Sequence, residues 1–203
     1  MPSIYDLKPA FQGLLRPVCR WLAAAGVTAN QVTLAALVLS LLSGAAITLW
    51  PQSAWPLLAL APVLFVRMAL NAIDGMLARE HGMKSPLGAF LNEVGDVVSD
   101  AALYLPFALL PGVAPAAVVV LVLLAALSEM TGICAVQVGA SRRYEGPMGK
   151  SDRAFLFGSL GLLLGFGLTP GAWTTALLGL ASLLAVLTCI NRVRFALREI
   201  DQP

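Results

Sequence analysis

The sequence predicts an all-α integral membrane protein with six transmembrane helices, preceded by an amphipathic helix at the membrane surface. Hydrophobic residues make up 59% of the 203 residues and charged residues only 12%, whereas soluble domains carry about 25% charged residues. A helix takes about 20 apolar residues to cross a bilayer, so the chain has room for six crossings. The basic residues also gather in alternate connections between the apolar runs, as membrane topology requires.

The first element is a helix predicted over residues 1–25. Leu7, Phe11 and Leu14 recur at helical spacing, and basic residues such as Lys8 and Arg16 lie between them. An apolar face beside a basic face is typical of a helix that lies in the membrane interface. The segment lacks an apolar core of about 7–15 residues, so we do not expect a cleaved signal peptide.

Six apolar runs follow, separated by the proline, glycine and tryptophan residues that are common at turns and membrane interfaces. We predict a single domain over residues 1–203, with the six-span bundle at residues 30–196. The predicted spans are Asn30–Trp50, Trp55–Ala78, Leu87–Leu110, Ala114–Val138, Arg153–Leu168 and Trp173–Val193.

Charge placement predicts the orientation of the bundle. Apart from Arg67, the basic residues lie in the N-terminal helix or near Arg79–Lys84, Arg142–Arg153 and Arg192–Arg198. The alternate connections, at residues 51–54, 111–113 and 169–171, carry no charge. Because basic residues are retained on the cytoplasmic side, both termini are predicted to be cytoplasmic.

Several ionisable residues lie inside the predicted spans, where a charge is costly and therefore indicates function. They are Arg67 and Asp74 in the second span, Glu93, Asp96 and Asp100 in the third, and Glu129 in the fourth. In the second span Arg67, Asn71 and Asp74 share one helical face, and in the third Gly88, Asn92, Asp96 and Asp100 repeat every four residues.

The two polar faces predict a site for a hard cation that opens toward the cytoplasm. Carboxylate and amide oxygens without histidine or thiolate suit Mg²⁺, Mn²⁺ or Ca²⁺ better than zinc or copper. The residues of these faces that lie at a common depth are Asn71, Asp74, Asn92 and Asp96. The alternative is a hydrogen-bond network that only holds the helices together.

The segment over residues 71–96, NAIDGMLAREHGMKSPLGAFLNEVGD, resembles the signature of the CDP-alcohol phosphotransferase family, D-x2-D-G-x2-A-R-x8-G-x3-D-x3-D. The matching residues are Asp74, Gly75, Ala78, Arg79, Gly88 and Asp96. Val27–Thr33, VTANQVT, is similar to the family's T-P-N-x-x-T entry to the first span and brings in Asn30 and Thr33. The chain is thus identified as a divergent bacterial member, because Asn71 and Asn92 stand at two of the four signature aspartates.

The resemblance implies a transferase of phospholipid synthesis that moves a phosphatidyl group from a CDP-linked lipid, most simply CDP-diacylglycerol, to an alcohol and releases CMP. It implies that Asn71, Asp74, Asn92 and Asp96 surround the metal, and that Asp96 is the base for the alcohol. Gly75 and Ala78 would let the cytidine approach, Asn30 and Thr33 would belong to the donor site, and Arg79 would meet phosphate. Since two carboxylates are lost, we expect one Mg²⁺ or Mn²⁺ ion, with Asp100 as the compensating acid.

The longest cytoplasmic loop, over residues 141–153, offers Arg142, Arg143, Lys150 and Arg153 for an anionic acceptor such as a phosphorylated polyol. The same loop is also consistent with a purely topological role. The acceptor itself stays open among glycerol phosphate, inositol phosphate, serine and simpler polyols.

Two other functions are weighed against the enzyme: a catalytically weakened family member that acts as a binding or scaffold subunit, and a cation-coupled transporter. The resemblance further implies a homodimer. The lack of a targeting signal favours a bacterial inner membrane, and the depth of the polar faces predicts a site that faces the cytoplasm. We expect membrane lipid as a partner and no nucleic acid.

Overall fold

The computed structural model describes residues 4–201, and it is helical with no β-strand among these residues. The α-helices in chain order are α1 (Ile4–Ala24), α2 (Ala29–Leu49), α3 (Ala54–Glu80), α4 (Pro86–Tyr104), α5 (Pro115–Gln137), α6 (Lys150–Gly165) and α7 (Ala172–Ile200). A 3₁₀ helix, Leu105–Leu109, follows α4. The predicted all-α fold is confirmed; of the helix predicted over residues 1–25, the first three residues lie outside the described part.

Four of these helices, α2, α3, α5 and α7, are long and apolar enough to cross a membrane. The chain is therefore an integral membrane protein. Helices α4 and α6 occupy the positions of the third and fifth predicted spans, but α4 carries three acidic residues and α6 has only 16 residues. The six-span topology and the surface position of α1 remain predictions.

The third predicted span ends earlier as an α-helix than we expected. It was predicted to reach Leu110, whereas α4 ends at Tyr104 and the chain continues as a 3₁₀ helix that contains the buried Pro106. Proline has no backbone N–H to donate and its ring clashes with the preceding turn, so an α-helix rarely continues through it.

By its internal contacts the chain divides into two compact units. The first unit comprises the described residues up to Leu42 together with Pro62–Ser99. Its core joins Cys19 of α1 to Val32 of α2 and to Met76 of α3, all of them buried. Arg16 and Glu80 form an exposed ion pair at 2.9 Å between α1 and the end of α3. These contacts place α1 against the end of α3 that leads into the candidate site.

The second unit comprises Ser43–Ala61 and the described residues from Asp100 onward. Helices α5 and α7 pack along one another, and Tyr104 stacks on Phe157 with ring centroids 4.2 Å apart. Glycine permits the closest approach: a Cβ at Gly44 would overlap the carbonyl oxygen of Ala102. This unit therefore depends on small residues where its helices meet, as is common in membrane bundles.

Candidate functional site

A cleft of about 700 Å³ lies in the first unit, between α2, α3, the loop after α3 and the start of α4. Its volume falls in the range of about 300–1,000 Å³ that is typical of small-molecule sites. Of the residues predicted for the site, those that line the cleft are Asn30, Thr33, Asn71, Asp74, Gly75, Ala78, Arg79 and Asn92. The fold thus brings most of the predicted residues together around one opening.

The carboxylate of Asp74 is positioned by a hydroxyl group from α2. The Oγ1 atom of Thr33 lies 2.8 Å from Oδ2 of Asp74 and 3.1 Å from the carbonyl oxygen of Ala29. The single hydroxyl hydrogen can serve either oxygen, and a charged carboxylate is the stronger acceptor. Thr33 is therefore suited to orient the carboxylate of Asp74, which is otherwise buried within the unit.

Arg79 lies directly beside the helix surface at Gly75. A Cβ at Gly75 would come within 3.1 Å of both terminal nitrogens of the Arg79 guanidinium group. The absence of a side chain at Gly75 therefore lets this cation lie flat against α3 at the edge of the cleft. The space that the resemblance assigns to a nucleotide is lined here by a basic group suited to phosphate.

Gly88, at the start of α4, also leaves space for neighbouring side chains. A Cβ there would lie 2.7 Å from Oδ1 of Asn30 and 3.0 Å from Oγ of Ser85. The backbone N–H of Gly88 donates to Oγ of Ser85 at 2.9 Å. The glycine at position 88 therefore leaves room for the Asn30 side chain beside the first turn of α4.

Asp96 does not line the cleft; it lies one helical turn beyond Asn92 and contacts Arg67 of α3. Nη2 of Arg67 is 3.4 Å from Oδ1 of Asp96 and 3.4 Å from its carbonyl oxygen. Arg67 is 3% exposed, whereas the Asp96 side chain retains 23% exposure. The Asp96 side chain is thus partly exposed, while one of its carboxylate oxygens contacts a buried cation.

The structure gives Asp100 a partner other than the predicted metal. Nη2 and Nε of Arg153 lie 2.9 Å and 3.1 Å from Oδ2 of Asp100, and both side chains are buried. Arg153 also contacts Oε1 of Glu129 at 2.9 Å. A buried guanidinium group therefore balances this carboxylate, and a role for Asp100 as a metal ligand stays a prediction.

Of the basic residues predicted for an acceptor, Arg142, Arg143 and Arg153 are engaged in ion pairs within the second unit. Arg142 lies 3.1 Å from Glu129, Arg143 pairs with Glu145 and Glu199, and Lys150 begins α6. The loop is therefore held to the helices of its own unit rather than extending freely into solvent.

Arg192 joins this basic cluster and was counted in the sequence only as a topological charge. It is 2% exposed, donates to the carbonyl oxygen of Ser128 and lies 3.4 Å from Glu129. Its burial had a signal in the sequence, since Arg192 follows the small residues Ala185 and Thr188 at the three- and four-residue spacing of one helical face.

The oxygens available in the cleft fit a hard divalent cation. Asp74 supplies a carboxylate, Asn71 and Asn92 supply amide oxygens, and no described residue that lines the cleft is histidine or cysteine. Within the described part of the chain, no group of three or more His, Cys, Asp and Glu residues is arranged to hold a metal. Asp74 is thus the one carboxylate among the described residues that line the cleft.

Comparison with known proteins finds relatives of similar sequence. A protein 49% identical over 195 residues, which span 96% of both chains, is the inner membrane protein YnbA of Escherichia coli K12. The archaetidylinositol phosphate synthase of Pyrococcus horikoshii is 32% identical over 103 residues, 51% of this chain and 52% of that protein.

Solved structures share the fold. The phosphatidylinositol phosphate synthase of Mycobacterium tuberculosis with CDP-DAG bound has a TM-score of 0.73 at 22% identity, over 89% of this chain and 92% of that chain. The same enzyme in complex with manganese and citrate has a TM-score of 0.72 at 22% identity, over 89% and 87% of the two chains.

The family assignment rests on nearly the whole of the helical region. The family model of the CDP-alcohol phosphatidyltransferases matches residues 26–194, which include every helix after α1 for most or all of its length. The resemblance in the segment over residues 71–96 is thereby confirmed, and the chain belongs to the CDP-alcohol phosphatidyltransferase family.

Proposed function

We propose that the chain transfers a phosphatidyl group from CDP-diacylglycerol to an alcohol and releases CMP, as a step of phospholipid synthesis. The observation that carries this proposal is the cleft in which Asn71, Asp74, Asn92 and Arg79 meet. Family membership supplies the reaction class, and the M. tuberculosis structure with CDP-DAG bound supports a lipid-linked donor.

One Mg²⁺ or Mn²⁺ ion would be held by Asp74, Asn71 and Asn92, with Asp96 one turn away. When bound, the ion supplies charge neutralisation for the diphosphate of the donor. Thr33 would keep the Asp74 carboxylate directed at the ion through the 2.8 Å contact. The manganese complex of the M. tuberculosis enzyme supports a divalent ion in this fold.

The donor's nucleotide would lie along α3 at Gly75 and Ala78, with Asn30 at the opposite wall. Arg79 would donate to its phosphate oxygens, since its guanidinium group already lies at the rim beside Gly75. Positioning and charge neutralisation are the main demands of this class of reaction, so few side chains are needed.

Asp96 would take the proton of the incoming alcohol. The alcohol oxygen forms a bond to the lipid-linked phosphorus, the bond from that phosphorus to the oxygen of CMP breaks, and CMP leaves with the electron pair. The proton ends on the Asp96 carboxylate. The partial exposure of Asp96 supports this role, because the side chain of a base must be open to contact with the acceptor.

The acceptor is proposed to be a small polar or phosphorylated alcohol near the cluster of Arg142, Arg143, Lys150 and Arg153. Relatives named for archaetidylinositol phosphate synthesis support a phosphorylated polyol. In this chain Glu129 already pairs with Arg142 and Arg153, so an anionic acceptor would compete with the Glu129 carboxylate for the guanidinium groups.

The proposed setting is a bacterial inner membrane, with six spans, both termini and the cleft on the cytoplasmic side, α1 in the membrane surface, and a homodimer. The name of the E. coli relative supports this membrane. The single domain over residues 1–203 is part of the same proposal.

The test measures CMP release by the purified full-length chain in nanodiscs, with Mg²⁺, CDP-diacylglycerol and a panel of alcohols. We expect release with at least one acceptor, at least about 100-fold less in Asp96→Asn because a general base contributes about 10²–10⁴-fold. Glu93→Gln is the matched control, since Glu93 is an acid of the same helix but lies on a different face. Equal loss in both variants would contradict the role of Asp96.

The two alternative functions have their own results in the same preparation. Absence of CMP release with every alcohol, together with retained CDP binding, would favour the scaffold subunit that Asn71 and Asn92 suggest. Cation flux into proteoliposomes without CMP release would favour the transporter.

A further inference from the structure

The intramembrane arginine of α3 is the feature that the proposed reaction does not yet use. Arg67 is 3% exposed, and its Nη2 lies 3.4 Å from both Oδ1 and the carbonyl oxygen of Asp96. A buried guanidinium group inside an apolar helix is costly, and such residues generally have a specific counter-charge and a function. Its position one turn from Asn71 on the same face places this cation at the inner end of the candidate site.

The distribution of charge around the site explains how the Arg67 guanidinium group could balance one of its carboxylates. Two of the four signature positions are the neutral Asn71 and Asn92, so the site keeps only the carboxylates of Asp74 and Asp96. Asp74 faces the cleft beside Thr33, whereas Asp96 contacts Arg67. The two remaining negative charges thus have different neighbours: one faces the proposed metal and the other faces an arginine.

We propose that Arg67 is a positioning residue that holds Asp96 and takes the place of a second metal ion, so that the site works with one divalent cation. This inference rests on the proposed function. A second cation near Asp96 would need carboxylates that Asn71 and Asn92 do not provide, and it would be repelled by the guanidinium group. Arg67 neutralises Asp96 without a metal and directs one carboxylate oxygen through a hydrogen bond.

A purely structural role for Arg67 predicts a different dependence of the number of bound metal ions on the residue at position 67. If Arg67 only tied α3 to α4, its replacement would lower stability and leave the number of bound ions unchanged. If it stands in for an ion, the number of ions must depend on the combination of residues at positions 67, 71 and 92. Metal stoichiometry therefore separates the two roles, whereas activity alone does not.

The experiment counts Mn²⁺ bound per chain by electron paramagnetic resonance, using the full-length protein in nanodiscs without donor or acceptor. The variants are the natural sequence, Asn71→Asp with Asn92→Asp, and that pair combined with Arg67→Met or Arg67→Lys. We expect one ion in the natural sequence and two in the combination with Arg67→Met. With Arg67 or Arg67→Lys in the two-aspartate background, we expect the second ion to bind at least about tenfold more weakly, since like charges in close contact disfavour binding strongly.

Two results would overturn the inference: two ions of similar affinity in the natural sequence, or a second ion that binds equally well with arginine and methionine at position 67. If Arg67→Met fails to fold, tight binding of two ions by the two-aspartate variant with Arg67 intact gives the same refutation. Because the count uses no substrate, it is independent of the proposed reaction. One ion without CMP release would remove the proposed function alone, and CMP release with two ions would remove the inference alone.

Discussion

Two ion pairs with equal N–O distances provide a test of how burial affects the contribution of an ion pair to the stability of this protein. Arg153 and Asp100 approach to 2.9 Å with side chains 1% and 5% exposed, and Arg16 and Glu80 approach to 2.9 Å with side chains 45% and 39% exposed. We expect Arg153→Gln to destabilise the chain far more than Arg16→Gln, because only the first change removes the cation of a buried ion pair.

The magnitude follows from the partners that each arginine leaves behind. Arg153 contacts both Asp100 and Glu129, and removal of one partner from a buried pair costs about 3–5 kcal/mol. An exposed pair such as Arg16 with Glu80 contributes about 0–1 kcal/mol. At about 2–4 °C per kcal/mol for a chain of this size, Arg153→Gln should lower the melting temperature by about 6–20 °C and Arg16→Gln by at most about 4 °C.

The assay is the thermal midpoint for loss of the monodisperse peak in size-exclusion chromatography, with all variants in one detergent. Arg153→Gln combined with Asp100→Asn should recover part of the loss, because the second change neutralises the buried carboxylate that Arg153 contacts through two nitrogens. Equal shifts for Arg153→Gln and Arg16→Gln would refute the reasoning. A melting temperature unaltered by Arg153→Gln, together with a raised KM for the acceptor, would instead support the acceptor role predicted for Arg153.

Substitutions at Gly44 and Gly88 test two close contacts that only a small residue permits, with Gly179 as the control. Gly44→Ala should cost about 1–3 kcal/mol in thermal stability, because its Cβ would overlap the carbonyl of Ala102, whereas Gly179→Ala, with nothing within 4 Å, should be neutral or stabilising. Similar midpoints for the two variants would contradict this packing. Gly88→Ala should raise the KM for the CDP-lipid donor several-fold with little change in melting temperature, because a Cβ there would displace the side chain of Asn30. An unchanged KM would separate Asn30 from donor binding.

The part of the site that could be predicted from sequence is the part set by local helix geometry. Asn71 and Asp74 fall on one face of α3 because residues three and four apart always do, and both line the cleft. The same rule placed Asn92 on the facing side of α4. Because the loop after α3 is short, α4 turns back along α3 and the two faces meet. Helix periodicity and loop length are therefore enough to predict that these residues lie together.

The partners of the deeper acids could not be predicted in this way. Asp100 shares the face of Asn92 and Asp96 in sequence, yet Arg153, 53 positions later, holds it. Glu129 likewise contacts Arg192, which is distant in the chain. Periodicity indicates which side of a helix a residue occupies but not which distant side chain lies opposite it, so the contact between Asp100 and Arg153 could not be predicted.

The three aspartates of the polar faces are separated by the chemistry of what each one meets. Asp74 meets a hydroxyl group from Thr33, which orients the carboxylate and carries no charge of its own. Asp96 meets a guanidinium group at 3.4 Å and keeps 23% exposure, so its charge is balanced while the side chain remains reachable. Asp100 contacts Arg153 at 2.9 Å in a buried pair, so its charge is balanced and its side chain is inaccessible. The same residue type therefore has three expected roles here, metal ligand, base and structural anion, and the contact partner of each decides which one it is.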